Sequence, residues 1–435
     1  MGSLAGKTMV EKLTEKQGIQ FYRLKSDKFN TTRVDIFFVD DLEKERASGN
    51  AILPSILKRG CGKYPSITEL ERKLEELYGA DVGGGTLKKG EAHLIGFRMS
   101  HISDRYTFNN TRLFDECCNL LMCILESPLT EDNGFKKSVF TKERDNLINY
   151  IRSRINNKIH FSLYRCIEEM CHGEPFAIPE EGTEEDALLL TPQNTFAQYK
   201  EMIQSYPAYV YISGEVDDTS IQNFIDNFLK AGRGDIKSIK TPDVKKEISE
   251  VKRVEEGMEV NQGKLCLGFR TQIDPCSPDY YPLVVYNGIL GGDTHSKLFQ
   301  NVREKASLAY YAQSVLEKYK GLMIVMSGIE AENRQKAEEI ILKQVEDMRK
   351  GNITKDEIDA TKKSLETGMK AMQDSQGAIV DFFLSQHLTN CADDFESTAE
   401  KFRQVTIDDV VRVAQNIQLD AVYFLKPKNF KEGIA

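Results

Sequence analysis

The chain has 435 residues, 40% hydrophobic and 29% charged, which at roughly 100–200 residues per domain gives two to four globular domains and excludes a collagen-like, disordered or disulfide-scaffold chain. Its 58 Lys+Arg against 67 Asp+Glu leave a net charge of −9, which argues against bulk binding to nucleic acid or to an anionic membrane. No apolar run approaches the roughly 18–20 residues that span a bilayer, and the N-terminus lacks a basic-then-apolar leader, so the sequence predicts a cytoplasmic protein with no membrane span.

Met1-Gly2-Ser3-Leu4 reads as a cloning remnant outside the fold. The first β-rich run, Arg33–Val39 (RVDIFFV), is followed by a polar break and a helix-like stretch. Gly83-Gly84-Gly85 predicts a hairpin bend or bulge rather than a phosphate cradle. Leu113, Cys117, Leu120 and Ile124 have the spacing of an amphipathic helix over Arg112–Ile124. Leu129-Thr130-Glu131 supplies an N-cap Thr for a further charged helix, and the half closes on a strand at Tyr209–Ile212. Gly232-Arg233-Gly234, Thr241-Pro242 and a Lys/Glu-rich stretch to Glu256 read as a surface linker.

The same succession returns roughly 200 residues later, the sign of an internal duplication. Lys264–Phe269 (KLCLGF) is the opening strand, and Ala337, Ile341, Val345 and Met348 mark an amphipathic helix. Thr354 and Glu357 form a capping box, and Ala421–Leu425 is the closing strand. Strands segregated from helices predict an α+β fold of two homologous domains, each a mainly antiparallel sheet covered by helices on one face. The first domain spans residues 5–231, the linker 232–256 and the second domain 257–435. Nine cysteines, an odd number in a long chain, predict reduced thiols, mostly small core residues.

Signatures of common chemistries are absent. There is no Walker A, Rossmann or Gly-x-Ser-x-Gly pattern, and Gly291-Gly292 is another bare glycine pair. The six histidines, at 93, 101, 160, 172, 295 and 387, include no i, i+4 pair that would aim two imidazoles at one metal. Cys166, Cys171 and His172 form the best remaining cluster, but their spacing scatters around a helix, and buried thiols beside a helix-end histidine are the better reading.

The informative segment is Asn287–Ser314, NGILGGDTHSKLFQNVREKASLAYYAQS. Its Gly-Gly, Ser-x-Leu-Phe, Val-Arg-Glu-Lys and Leu-Ala-Tyr succession resembles the second-domain segment of the M16 (pitrilysin-type, inverse-zincin) metallopeptidases and processing peptidases. The duplicated halves match that family's paired domains, which close as a clamshell. The resemblance implies that Arg303 and Tyr310 bind the substrate backbone and polarise the scissile carbonyl, a guanidinium and a phenol forming an oxyanion-type site. They can project together if Val302–Lys305 ends a helix and Leu308–Val315 begins a strand.

The family's zinc helix carries His-x-x-Glu-His, with a distant Glu as third ligand. Aligned on Arg59-Gly60, the two imidazole positions fall on Ala51 and Ser55 and the general-base position on Pro54. The third-ligand position falls on Tyr150, or on Asn149 after a one-residue slip, in the helix beginning near Glu143. None of these side chains can do the work, so the resemblance implies a catalytically silent member with no catalytic residue and no cofactor of its own, zinc being expected on a partner subunit. Partners are then an active zinc-bearing M16 homologue, or a second copy, and an extended peptide or unfolded protein that adds as a strand to a sheet edge. The alternative is a non-proteolytic scaffold that keeps the clamshell, and a third reading is a peptidase using Cys166 and His172.

Overall fold

The computed structural model describes residues 10–108, 111–230 and 232–430. Met1–Leu4, and residues 5, 231 and 435 on which the sequence-based domain limits fall, lie outside them. In chain order the first half runs β1 (Val10–Lys16), β2 (Ile19–Leu24), β3 (Thr31–Asp41), α1 (Lys44–Leu57), α2 (Ile67–Glu76), β4 (Asp81–Lys89), β5 (Ala92–Ile102) and α3 (Leu113–Glu126). It continues through the two-residue strands β6 (Thr130–Glu131) and β7 (Gly134–Phe135), then α4 (Lys137–Ser153), α5 (Lys158–Met170), α6 (Glu184–Leu188), α7 (Pro192–Ser205), β8 (Ala208–Ser213) and α8 (Asp218–Asn227). The second half runs β9 (Lys252–Met258), β10 (Gly263–Arg270), α9 (Tyr280–Asn287), β11 (Ala309–Glu317), β12 (Leu322–Ile329), α10 (Arg334–Arg349), α11 (Lys355–Met372), α12 (Gln376–Thr389), α13 (Phe395–Gln404), α14 (Ile407–Ala414) and β13 (Gln418–Pro427).

The duplication is written in the sheets. The first has the order β1-β2-β8-β3-β5-β4 and the second β11-β12-β10-β13-β9. Read from the other edge, the second repeats the first without β1, strand for strand in chain order. In each, one pair is parallel, β2 with β8 and β9 with β13, and the described neighbours are otherwise antiparallel. Corresponding strands β4 and β11 are therefore both sheet edges.

The apolar periodicities locate the core. Leu113, Cys117, Leu120 and Ile124 of α3 are buried, as are Ala337, Ile341, Val345 and Met348 of α10. Val34, Ile36 and Phe38 alternate along β3 into the cluster that holds the α3 residues. Thr354 and Glu357 cap α11 reciprocally, with N–H to side-chain oxygen distances of 2.8 and 3.2 Å.

Several expectations are corrected. Thr130 is no helix N-cap, because it pairs with Phe135 in the β6–β7 hairpin and the helix starts only at Lys137. Gly83-Gly84-Gly85 lies inside β4, paired along β5, rather than at a bend. A Cβ at Gly84 would lie 2.8 Å from the Gly96 carbonyl and 3.2 Å from Pro54 Cβ, so the glycine lets α1 approach the sheet. The linker ends earlier than Glu256, since Lys252–Met258 is β9. Cysteine pairing also departs from the fully reduced reading. Cys61 and Cys123, with Cα atoms 6.0 Å apart, and Cys276 and Cys391, 5.7 Å apart, are disulfide-bonded, whereas 117, 118, 166, 171 and 266 are buried free thiols.

The chain divides into two compact units whose limits do not follow a single cut at the linker. One comprises residues up to Arg152, Ile178–Lys240 and Gln373–Ser385, and the other Ser153–Ala177, Thr241–Met372 and the chain from Gln386 onward. Each half thus lends a helical segment to the other's sheet. In the second unit, Cys166, Ile167 and Met170 of α5 pack on β10, where Gly268 makes room for the Met170 sulfur. Leu265, Leu267 and Phe269, which alternate with Cys266 and Gly268, are buried too, so both faces of the strand are covered. In the first unit, Gln376 of α12 donates to the Thr31 carbonyl at 3.0 Å, and Asp381 pairs with Lys89 at 2.6 Å.

A buried ion cluster holds the end of α5 in place. Arg270, 1% exposed, binds Asp420 at 2.7 Å and Glu174 at 2.7 Å, while Lys246 and Lys320 also reach Glu174. Burial alone would raise the Glu174 carboxyl, but hydrogen bonds from Arg270, Lys246 and Lys320 outweigh it and hold the pKa down at about 2.

Candidate functional site

Helix α1 carries the positions where a metal-binding peptidase would place its ligands. Ala51 is half-buried against the core, Pro54 is buried and Ser55 is half-buried. Arg46 and Asn50, polar groups of α1, are committed elsewhere. Asn50, fully buried, donates to Asp40 at 3.1 Å and accepts from Gln198 at 2.6 Å, while Arg46 holds the same Asp40 at 2.7 Å. His93 of β5 lies 3.4 Å from Asn50, and burial lowers its pKa from 6.5 to about 4, so it is a neutral structural imidazole.

Beside Ser55, α1, α2, β4 and α4 enclose a cavity of about 250 Å³ lined by Ser55, Lys58, Arg59, Val82 and Glu143, with Ile67, Leu70 and Leu74 as its apolar wall and Glu71 also contributing. Glu143, rather than Tyr150, is the α4 residue that faces it. Its carboxylate accepts from Arg59 Nε at 2.6 Å and Asn146 Nδ2 at 3.2 Å. Tyr150, two turns on, is 53% exposed and outside the cavity lining. An alanine methyl, a proline ring, a hydroxyl and an exposed phenol do not fit a zinc ion, and among the described residues no three His, Cys, Asp or Glu side chains group to hold a metal. Of the two carboxylates lining the cavity, Glu143 is taken by a guanidinium and Glu71 is exposed. Sequence reasoning passed over Lys58, Arg59 and Glu143, although Arg59-Gly60 anchored the alignment and Glu143 marked the helix.

Arg303 and Tyr310 are set by the second unit. Arg303 sits on a widened helical turn, Phe299–Lys305, its guanidinium 4.5 Å from the Phe299 ring centroid and 3.7 Å from Glu304. Tyr310 follows a tight reversal at Ser307, φ +52°, and falls on edge strand β11 where the register with β12 slips between Ala309 and Tyr311. A bulge there re-aims one side chain out of the ladder, and Tyr310 is 63% exposed. The helix-to-strand succession matches the sequence expectation, and each residue is oriented by its own element. Gly291, on the preceding turn, admits the Ser314 backbone of β11, which a Cβ would meet at 2.5 Å.

The cysteine cluster is structural. Cys166 and Cys171 are buried beneath β10, and burial pushes the Cys171 thiol up to about 11 and that of Cys166 well above its ordinary range. His172 is exposed at the end of α5. A nucleophilic thiol needs a lowered pKa and access, and neither is present.

A duplicated α+β chain whose metal-helix positions bear no ligand defines a degenerate peptidase-like protein. Residues 190–365 match the family described as "Peptidase M16 inactive domain". The chain is 34% identical over 418 residues to the probable inactive metalloprotease YmfF of Bacillus subtilis (strain 168), covering 96% of this chain and 98% of that protein. It belongs to the M16 peptidase family and is an inactive M16-like protein. The uncharacterized zinc protease YmxG of the same organism is 24% identical over 57% of this chain and 59% of its own. Among solved structures, a conserved protein from Enterococcus faecalis V583 superposes with a TM-score of 0.90 at 27% identity, covering 98% of this chain and all of that one. A protease from Helicobacter pylori, at 19% identity over 97% of this chain and 100% of its own, gives a TM-score of 0.81 and shares the fold.

Proposed function

We propose that the protein is a catalytically silent M16 subunit that binds extended peptide and complements a zinc-bearing homologue in proteolytic processing. The observation that carries this reading is the contrast between two segments: α1 has no ligand side chain left, whereas Arg303 and Tyr310 are retained and solvent-exposed. The edge positions of β4 and β11 suit addition of a peptide as a further strand, in which backbone hydrogen bonds supply affinity and side chains supply modest preference. The relatedness to a protein named as a zinc protease supports a partner of that kind, and a second copy of this chain is the other possible partner.

Metal analysis of the purified chain, with peptidase assays on the chain alone, on the homologue alone and on their mixture, tests the proposal. The expected result is no bound zinc and no activity from the chain alone, and activity of the mixture above that of the homologue. Stoichiometric zinc with activity from the chain alone overturns it. A mixture no more active than the homologue leaves the scaffold reading.

A further inference from the structure

The cavity beside Ser55 includes one of the aligned metal-helix positions, and cations now share its lining with carboxylates. Its lining holds two half-buried cations, Lys58 and Arg59, a buried carboxylate, Glu143, and an exposed one, Glu71. Arg59 and Glu143 neutralise each other at 2.6 Å. Lys58 is left over: its hydrogen-bond partner among the described residues is the Gly84 carbonyl at 3.4 Å. Burial lowers the Lys58 pKa, with Asp81 and Glu143 opposing that shift and Arg59 and Arg98 reinforcing it. An anion entering the cavity would offset the burial penalty on the ammonium and the like-charge repulsion by pairing with it directly. Ser55 contributes a hydroxyl to the same lining, and the apolar wall of Ile67, Leu70, Leu74 and Val82 would cover the aliphatic part of a ligand.

We propose that this cavity is a carboxylate-binding pocket, in which the Lys58 ammonium and Ser55 hydroxyl hold the acidic group of a peptide, either an Asp or Glu side chain or a free C-terminus. About 250 Å³ accommodates one such group and no large ligand. Because Val82 belongs to edge strand β4, a peptide pairing with that edge would carry an acidic residue past the pocket. The substrate class therefore rests on the peptide-binding reading above, whereas the pocket's preference for carboxylate does not.

The test uses the full chain and two kinds of probe. Acetate and glutarate are titrated by saturation-transfer NMR. Fluorescein-labelled, capped Val/Ala decapeptides with one central Asp or Glu are compared by anisotropy with their Asn or Gln counterparts, and a free C-terminus with an amidated one. The expected result is at least tenfold tighter binding of carboxylate-bearing peptides, lost in Lys58→Gln and largely retained in Lys58→Arg, with small carboxylates following the same pattern. Thermal melts show that both variants are folded. Peptides that bind with no preference for carboxylate, or a preference indifferent to Lys58→Gln, overturn the pocket and leave peptide binding standing. Small carboxylates bound through Lys58 with no peptide bound at all preserve the pocket and overturn the peptide reading. Binding of neither probe overturns both.

Discussion

Two histidines show how the fate of a side chain depends on its surroundings rather than its type. His93 and His101, near the two ends of β5, are held neutral by burial, each lowered from 6.5 to about 4. Since the unfolded chain takes up protons below about 6.5 and the fold does not until about 4, stability is full above 6.5 and falls as pH drops through this window. At 1.36 kcal/mol per pKa unit the loss is on the order of 3 kcal/mol for each. Glu174, lowered to about 2, continues the decline below its ordinary 4.5. Urea titrations between pH 7 and 4 should show this slope, and His93→Gln should flatten it. Arg303 is expected to matter only in a complex. If its guanidinium makes one charge-assisted bond to a bound peptide, worth about 1.5–3 kcal/mol, Arg303→Ala lowers the activity of the mixture ten- to a hundredfold while gel filtration shows unchanged assembly. Unchanged activity removes the role assigned to it.

Glycines on β4 act through the elements they bring together. Gly84 stands between the Gly96 carbonyl and Pro54, whereas nothing lies within 4 Å of a Cβ at Gly85. Gly84→Ala should therefore force α1 from the sheet and cost about 1–3 kcal/mol, with Gly85→Ala close to neutral, as measured by urea denaturation. The disulfides act through loops. Cys276 is exposed, and its bond to Cys391 closes 115 residues, for which the chain-entropy account gives roughly 5 kcal/mol as an upper figure. Dithiothreitol is expected to lower the melting temperature by several degrees, and Cys276→Ser to reproduce most of that shift without reductant. Equal melting of the oxidised, reduced and substituted proteins would remove any stabilising role for this bond.

At the scale of the molecule, the duplication and its strands were legible because alternation and helical periodicity survive in a single chain. Lys264–Phe269 and Ala337–Met348 are cases in point. What periodicity cannot say is which sheet an apolar helix face will cover, so the exchange of α5 and the start of α12 between units was hidden, as were the cysteine pairings, which spacing leaves open. At the candidate site, the loss at Ala51, Pro54 and Ser55 was readable from residue type alone. Glu143 was not, since a lone Glu on a charged helix looks like any solvated one. The exchange predicts that the chain, cut at a protease site engineered into residues 234–240, elutes as one species. Ile167 and Met170, at roughly 1.5–3 kcal/mol per buried side chain, remain fastened in the sheet of the C-terminal piece. Pieces that part on gel filtration would contradict that anchoring. The dismantled metal helix has a consequence in time. Regaining a catalytic ion would require new side chains at Ala51, Pro54, Ser55 and Tyr150 together, on two helices. No single step toward that state would bring a benefit, so the loss behaves as a ratchet, and selection can act on the chain only through what it holds.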